Sequence, residues 1–452
     1  MSVFTVFFCG TASTSDDYKN PDYVKGELIS TLGKNAIGEA YIDYLVVDGV
    51  GSGNKNSLTM LSNKNSHSTL SGIAFGKGIN QNIDHVMNVI KGDLSSHSAI
   101  TPEQAKKYGK EKLAETKPTG RNKYQARKRT KNIFGFSVPY VGRERTQKRR
   151  DWDAKAKHKG QEMVNESFLA YKHLAQARST NPITKVNMIG WSRGGVTCFE
   201  LANRMFADPD LRHIPVNIFA CDPVPGASNN FKNHHALNRN VNMVVCLYAQ
   251  HERSTGFSAR MPRLHHNTKV FTSLMPGKHA TLVGNAHQNG QSKGLNIYDE
   301  PGRITRDFAE KVLTGWGSRL RGTLKYTTDD VLTLYQMILK FMPDYKKMKN
   351  STYTIKGRFQ TTSNRIQITK QRKNEHSFDY HGNPASIQDF PGLSKLRFSE
   401  LGYVNRHHYD IACLHDKFAA KGVGEPIDHR KHRMNVFADA TLIYENKPFY
   451  DY

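Results

Sequence analysis

The sequence predicts an α/β fold: a mostly parallel central sheet flanked by helices. Three observations lead there. Apolar runs of strand length recur between residues 3 and 274, segments with helical periodicity separate them, and several runs are apolar throughout instead of alternating. Uninterrupted apolar strands belong in a sheet covered on both faces, which is the usual setting of parallel strands. With 452 residues the chain can bury a large core, in one enlarged domain or two.

The opening segment, MSVFTVFFCG, lacks a basic leader region and runs straight into Gly10 and Thr11. It therefore reads as a buried strand from Val3 to Cys9 and not as a signal peptide. Further strands are predicted at Tyr41 to Val47, Lys185 to Ile189, Pro215 to Cys221, Asn242 to Tyr248 and Lys269 to Leu274. Helical patterns fall at about Gly78 to Ile90, Gln161 to Ala177 and Gly194 to Phe206, the last with Val196, Phe199, Leu201 and Met205 as an inward stripe. Beyond Asp329 the spacing loosens into a helix near Asp330 to Phe341 and a strand-like run at Tyr353 to Thr361. Residues 1–328 are thus expected to form the main domain and 329–452 a C-terminal extension of unassigned role. No apolar stretch approaches the roughly 20 residues that a membrane-crossing helix needs.

Hydrophobic residues at 37% and charged residues at 23% are ordinary for a folded chain and exclude a disordered or repeat protein. The 65 Lys plus Arg against 40 Asp plus Glu give a formal charge of +25, which calls for an anionic partner: phospholipid headgroups, nucleic acid or an acidic protein. Residues 101–160 alone hold 19 Lys plus Arg against 6 Asp plus Glu. They mark a basic insertion over about 95–160. One reading is a solvated loop; the other is a lid or membrane-facing arm, with Ile133, Phe134, Phe136, Val138 and Tyr140 as its apolar side.

Five cysteines, Cys9, Cys198, Cys221, Cys246 and Cys413, are widely spaced and without a CxxC pair. They predict buried thiols in a reducing compartment, neither a disulfide framework nor a zinc site. The His407-His408 pair and the Asp428 to His432 cluster read as surface polar residues, so no metal and no cofactor is expected.

The strongest chemical signal is Gly190-Trp191-Ser192-Arg193-Gly194-Gly195, directly after the apolar strand VNMI and directly before the Val196 helix. A strand-to-helix turn this sharp needs glycine where backbones crowd, and it forces the serine hydroxyl out at the top of a sheet: the nucleophile elbow of α/β hydrolases. The alternative is an ordinary turn with an N-cap serine. A serine needs a base and an orienting carboxylate, in the chain order Ser, Asp or Glu, His. Asp222, at the end of the strand PVNIFAC, is the first candidate acid, and Glu252, just past the next strand, is the alternative. His279 follows both acids in a tight Pro276-Gly277 turn after the last strand; His287 is its main competitor, and His265 and His266 also come after the acids. Oxyanion donors are expected from the amide of Arg193 and from the loop after the first strand, at Gly10 and Thr11.

These motifs, in this order, resemble the α/β-hydrolase family, formerly a domain of unknown function, that includes the type VI secretion phospholipase effectors of bacteria. The resemblance runs over residues 3–285. It includes the strand ending Phe7-Phe8-Cys9-Gly10-Thr11, the turn Asp48-Gly49-Val50-Gly51-Ser52-Gly53 and the Gly-rich helix entry Phe75 to Ile79. It continues with the elbow and its Arg193, the turn Asp222-Pro223-Val224, the stretch His251-Glu252-Arg253 and the turn Pro276 to His279. Departures are Cys9 where members carry Asp, Ala12-Ser13 for Gly-Asn, Thr281 for Asp and Val283 for Gly. The resemblance implies ester hydrolysis on glycerophospholipids and a secretion-apparatus or inhibitor protein as partner. It also implies a leaderless protein, cytoplasmic in the producing cell, then delivered to a target cell and held peripherally at its membrane.

The first functional reading is accordingly a phospholipase A-type serine esterase with Ser192, Asp222 and His279 as its triad. A second keeps the triad but acts on a soluble ester, a thioester or an acylated protein. A third makes the chain a nucleic-acid binder on an inactive hydrolase scaffold, with Tyr108, Tyr124 and Phe134 stacking amid the basic residues of 101–160.

Overall fold

The computed structural model describes residues 2–52, 78–93, 102–119, 123–133, 136–225, 236–249, 251–252, 257, 259–262, 265, 268–285, 298–322, 324–348, 353–355, 366–368 and 379–380. They fall into two compact units, one drawn from residues 1–56, 65–91 and 177–452, the other from 57–64 and 92–176.

The first unit is built on a six-stranded sheet. Its strands are β1 (Val3–Phe8), β2 (Tyr44–Val47), β5 (Lys185–Trp191), β6 (Val216–Cys221), β7 (Val241–Ala249) and β9 (Lys269–Met275), in the order β2-β1-β5-β6-β7-β9; the two-residue β8 (Arg260–Met261) lies outside this sheet. Every pairing within it is parallel, so the α/β class is as expected. Successive side chains of a strand point to opposite faces. Phe7, Ile189, Phe219 and Val245 join one buried cluster with the helices α1 (Leu28–Lys34), α6 (Glu300–Gly315) and α7 (Thr328–Met348). A further helix, α5 (Arg193–Ala207), shares none of that cluster; it packs on β5 and β6 and against α2 (Ile79–Lys91). Helices on both faces explain why these strands are apolar throughout.

Register lines up the strand ends. Phe8 pairs with Gly190, Trp191 with Cys221, Cys221 with Leu247 and Ala249 with Met275. The residues that follow, Gly10, Ser192, Asp222, Glu252 and His279, therefore leave one carboxyl edge. Between β1 and β5 the strand order reverses direction, and the crevice at such a switch point is where α/β sheets bind ligands.

The second unit holds α3 (Pro102–Lys112), an antiparallel hairpin of β3 (Tyr124–Ile133) and β4 (Phe136–Arg145), and most of α4 (Gln147–Thr180). Gly109 and Gly160 let α3 and α4 approach closely: a β-carbon on Gly109 would run into the Ala156 carbonyl, and one on Gly160 into that of Ala105. Arg127 bridges to Glu144 across the hairpin at 2.7 Å.

Differences from the sequence reading have local causes. The predicted helix 161–177 begins earlier, at Gln147; its first turns, QKRRDWDAKAKHKG, are polar nearly all round and carry no stripe to mark them, although Trp152 and Ala156 are buried. Three helices, α1, α3 and α6, stand where none was predicted. In α1 the seven residues are too few for a period, and the helix is capped by Glu27, whose carboxylate accepts the amides of Ile29 and Ser30. The strand expected from Tyr41 starts at Tyr44, since Tyr41 turns with φ 71°. The boundary expected at 328/329 falls at the start of α7, which shares the main core through Leu334, Tyr335, Ile338 and Tyr345. Most of 349–452, with Cys413, the His407-His408 pair and the Asp428 to His432 cluster, lies outside the described residues, as does Phe134. Among the described residues no helix is long and apolar enough to cross a membrane, and no three His, Cys, Asp or Glu gather as metal ligands. Cys9, Cys198, Cys221 and Cys246 are buried free thiols.

Candidate active site

Ser192 joins β5 to α5 in a single residue of left-handed backbone, φ 58° and ψ −127°. Such a conformation costs a β-carbon-bearing residue about 1–3 kcal/mol and persists only where its surroundings enforce it. Here the Ser192 amide donates to the Cys221 carbonyl at 3.0 Å, and the Ser192 carbonyl accepts the Val224 amide at 3.2 Å. The flanking glycines are sterically required. A β-carbon on Gly194 would strike the carbonyls of Phe8, the last residue of β1, and of Cys9 just after it, and one on Gly190 would strike the main chain of Gly194 and Gly195.

Asp222, at the end of the adjacent strand, is also strained, with φ 38°, its amide donating to the Leu247 carbonyl at 2.7 Å. Its two carboxylate oxygens have separate tasks. Oδ1 accepts the Ala249 amide at 3.1 Å, and Oδ2 lies 2.6 Å from Nδ1 of His279. A carboxylate only accepts, so Nδ1 donates. Both residues are fully buried, at 0% and 2% exposure, and a charge-assisted bond in that medium is short and strong.

Glu252, the alternative acid, accepts the main-chain amide of His279 at its Oε2, 3.2 Å away. The structure thus assigns Nδ1 of the ring to Asp222 and the backbone of the same residue to Glu252. His287 and His266 lie outside the described residues, and His265 accepts the Thr268 amide through its carbonyl in the loop before β9.

Three contacts around His279 escaped the sequence reading. The Trp191 ring lies over the imidazole with centroids 5.1 Å apart, and its indole N–H donates to the His279 carbonyl at 3.2 Å. Phe257 meets the imidazole edge-on at 5.0 Å. The third is His251, bonded to Gly277 of the same turn. For Trp191 a signal existed, since it precedes the nucleophile candidate on a strand end. Nothing in the sequence marked Phe257.

Arg193 opens α5, where an amide has no acceptor inside the helix. Its side chain is buried, Nε donates to the Pro225 carbonyl at 3.1 Å, and desolvation draws its pKa down to about 10. Gly10 sits against the elbow, for a β-carbon there would enter the Trp191 ring. Half-buried Thr11 follows in a turn closed by the Ser13 amide on the Gly10 carbonyl at 3.0 Å.

No family model and no curated protein matches the chain. Among solved structures it is similar to an uncharacterized protein from Pseudomonas aeruginosa, with 12% identity and a TM-score of 0.38, over 97% of this chain and 66% of that one. It is also similar to the Tle1 effector bound to the VgrG spike of the type 6 secretion system, with 11% identity and a TM-score of 0.24, over 62% of this chain and 50% of that one. The chain therefore spans about two thirds of the first of these proteins and half of the second.

Proposed function

We propose that this protein is a serine hydrolase of the α/β-hydrolase type that cleaves acyl esters of phospholipids, as a phospholipase A does. The observation that carries the reading is the buried Asp222–His279 bond of 2.6 Å at the carboxyl edge where the strained Ser192 turn ends β5. Ser192 and Asp222, both at positive φ and neither a glycine, end adjacent strands and mark a site whose geometry is enforced against its local cost.

In this mechanism Ser192 Oγ attacks the acyl carbonyl while His279 Nε2 takes the hydroxyl proton, and Asp222 steadies the imidazolium. The carbonyl electrons move to the oxyanion, for which the Arg193 amide and the Gly10–Thr11 loop are the proposed donors. Collapse of the intermediate breaks the ester bond. The proton on His279 passes to the leaving glycerol oxygen, leaving an acyl-serine. Water, deprotonated by His279, then attacks the acyl-serine, releasing fatty acid and restoring Ser192.

The sequence resemblance supports a phospholipid as the substrate, with a secretion-apparatus or inhibitor protein as partner. The charge of +25 supports an anionic membrane surface, where each engaged Lys or Arg contributes about 1 kcal/mol.

The test is to incubate the purified protein and its Ser192→Ala variant with mixed phospholipids and identify the products by mass. Lysophospholipid and free fatty acid are expected from the wild type, with a loss on the order of 10³-fold or more in the variant. Equal release by both proteins, or release by neither, overturns the reading.

A further inference from the structure

The turn that presents His279 is held by two residues that the proposed chemistry does not use. His251 and Glu252 follow the end of β7, the strand between those that lead to Asp222 and to His279. The His251 amide donates to the Gly277 carbonyl at 2.9 Å, and the Gly277 amide donates back to Nδ1 of His251 at 3.0 Å. The His279 amide donates to Oε2 of Glu252 at 3.2 Å. Both clamping side chains are buried, at 5% and 2% exposure, so these bonds form where the local dielectric is low and hydrogen bonds are stronger.

We infer that His251 and Glu252 are positioning residues: they fix the main chain of the Gly277–His279 turn so that the imidazole Nδ1 meets Asp222. The inference rests on the reading of His279 as the proton relay. Gly277, with φ 104°, is the most permissive point of the turn, and its amide and carbonyl are both tied to the one residue His251. Glu252 holds the amide two residues on, that of His279 itself, while the Lys278 amide between them donates to Oγ1 of Thr281. A displacement of about 1 Å at a reacting group costs on the order of 10²-fold in rate, so the rigidity of a glycine-containing turn matters here.

Each side chain suits its task. Nδ1 of His251 accepts, which requires a neutral ring carrying its proton on Nε2. Glu252 adds a negative charge beside buried Lys278, offsetting part of the desolvation that pulls that ammonium's pKa down.

The experiment compares Glu252→Ala and His251→Ala with Glu252→Gln and His251→Asn, which keep an acceptor near the same place. The readouts are kcat and KM on an acyl ester, and the low-field proton resonance of the His279–Asp222 bond in the absence of substrate. The alanine variants are expected to lower kcat about 10²-fold with KM unchanged and to broaden or abolish the resonance. The Gln and Asn variants are expected to restore most of both. Folded alanine variants with unchanged resonance and kcat overturn the clamp. If the alanine cavity unfolds the protein, Glu252→Met, which fills the space without an acceptor, is read in the same way. An inactive wild type that shows the resonance, and loses it in Glu252→Ala, supports the clamp and overturns the hydrolase reading, so the two failures separate.

Discussion

Oδ2 of Asp222 lies 2.6 Å from Nδ1 of His279, while Oδ1 of the same carboxylate accepts the amide of Ala249. That second bond decides what an amide would do in its place. In Asp222→Asn the Ala249 amide keeps the carbonyl oxygen, so the NH2 group faces His279 and turns Nδ1 into an acceptor. The proton then sits on Nε2, and the ring cannot serve as a base. Turnover is expected to fall about 10⁴-fold, with urea unfolding close to wild type; steady-state kinetics on an acyl ester, read beside the unfolding midpoint, check both.

The elbow glycines admit no side chain. In Gly194→Ala the new β-carbon meets the main-chain carbonyls of Phe8 and Cys9, which no rotamer change relieves. A destabilisation of about 3 kcal/mol is expected, measured by urea titration. A variant as stable as the wild type would mean that the turn yields to the added methyl group.

Ser192 adopts a conformation that glycine reaches without strain. Ser192→Gly and Ser192→Ala both remove the hydroxyl, but only the first relieves the backbone. The glycine variant is expected to be about 1 kcal/mol more stable than the alanine variant, with both inactive. Equal unfolding midpoints would deny that strain is stored at the turn.

Glu200 of α5 is buried, and desolvation raises its pKa from 4.5 to about 7. Between those two values the folded state binds more protons than the unfolded one, so stability falls as pH rises through that window and levels off above it. Glu200→Gln carries no titrating proton. Urea unfolding at steps from pH 4.5 to 7.5 is expected to show a shallower decline in the variant; parallel curves would remove Glu200 as the cause.

Attachment to anionic lipid is the part of the proposed function that rests on the charge of +25. Cosedimentation with vesicles containing phosphatidylglycerol is expected to exceed that with phosphatidylcholine alone and to weaken as salt rises from 0.05 to 0.5 M, both approximate limits, because screening shortens the reach of each charge. Steep salt-dependent binding to duplex DNA without lipid binding would favour a nucleic-acid partner instead.

Much of the sheet was legible because its signals are local. The runs at 3–9, 185–189, 215–221, 242–248 and 269–274 each became a strand within a residue or two. The six residues of the elbow announced a turn between strand and helix, since only glycine tolerates the backbone contacts at 190 and 194. The polar start of α4 and the seven-residue α1 stayed hidden, the first for want of an apolar stripe and the second for want of length. Phe257 sits beside His279 through a loop, and loops carry no period.

What the amino-acid order settled by itself was which segments form strands and where the chain must turn sharply, because both depend on neighbours a few residues away. Which acid serves which part of His279 was another matter. Asp222 and Glu252 end adjacent strands, and the sequence offered both. Only the register of β6, β7 and β9 brings the Asp222 carboxylate to the ring and the Glu252 carboxylate to the backbone amide. Pairing between strands sets that choice, and it joins residues 27 and 57 positions apart in the chain.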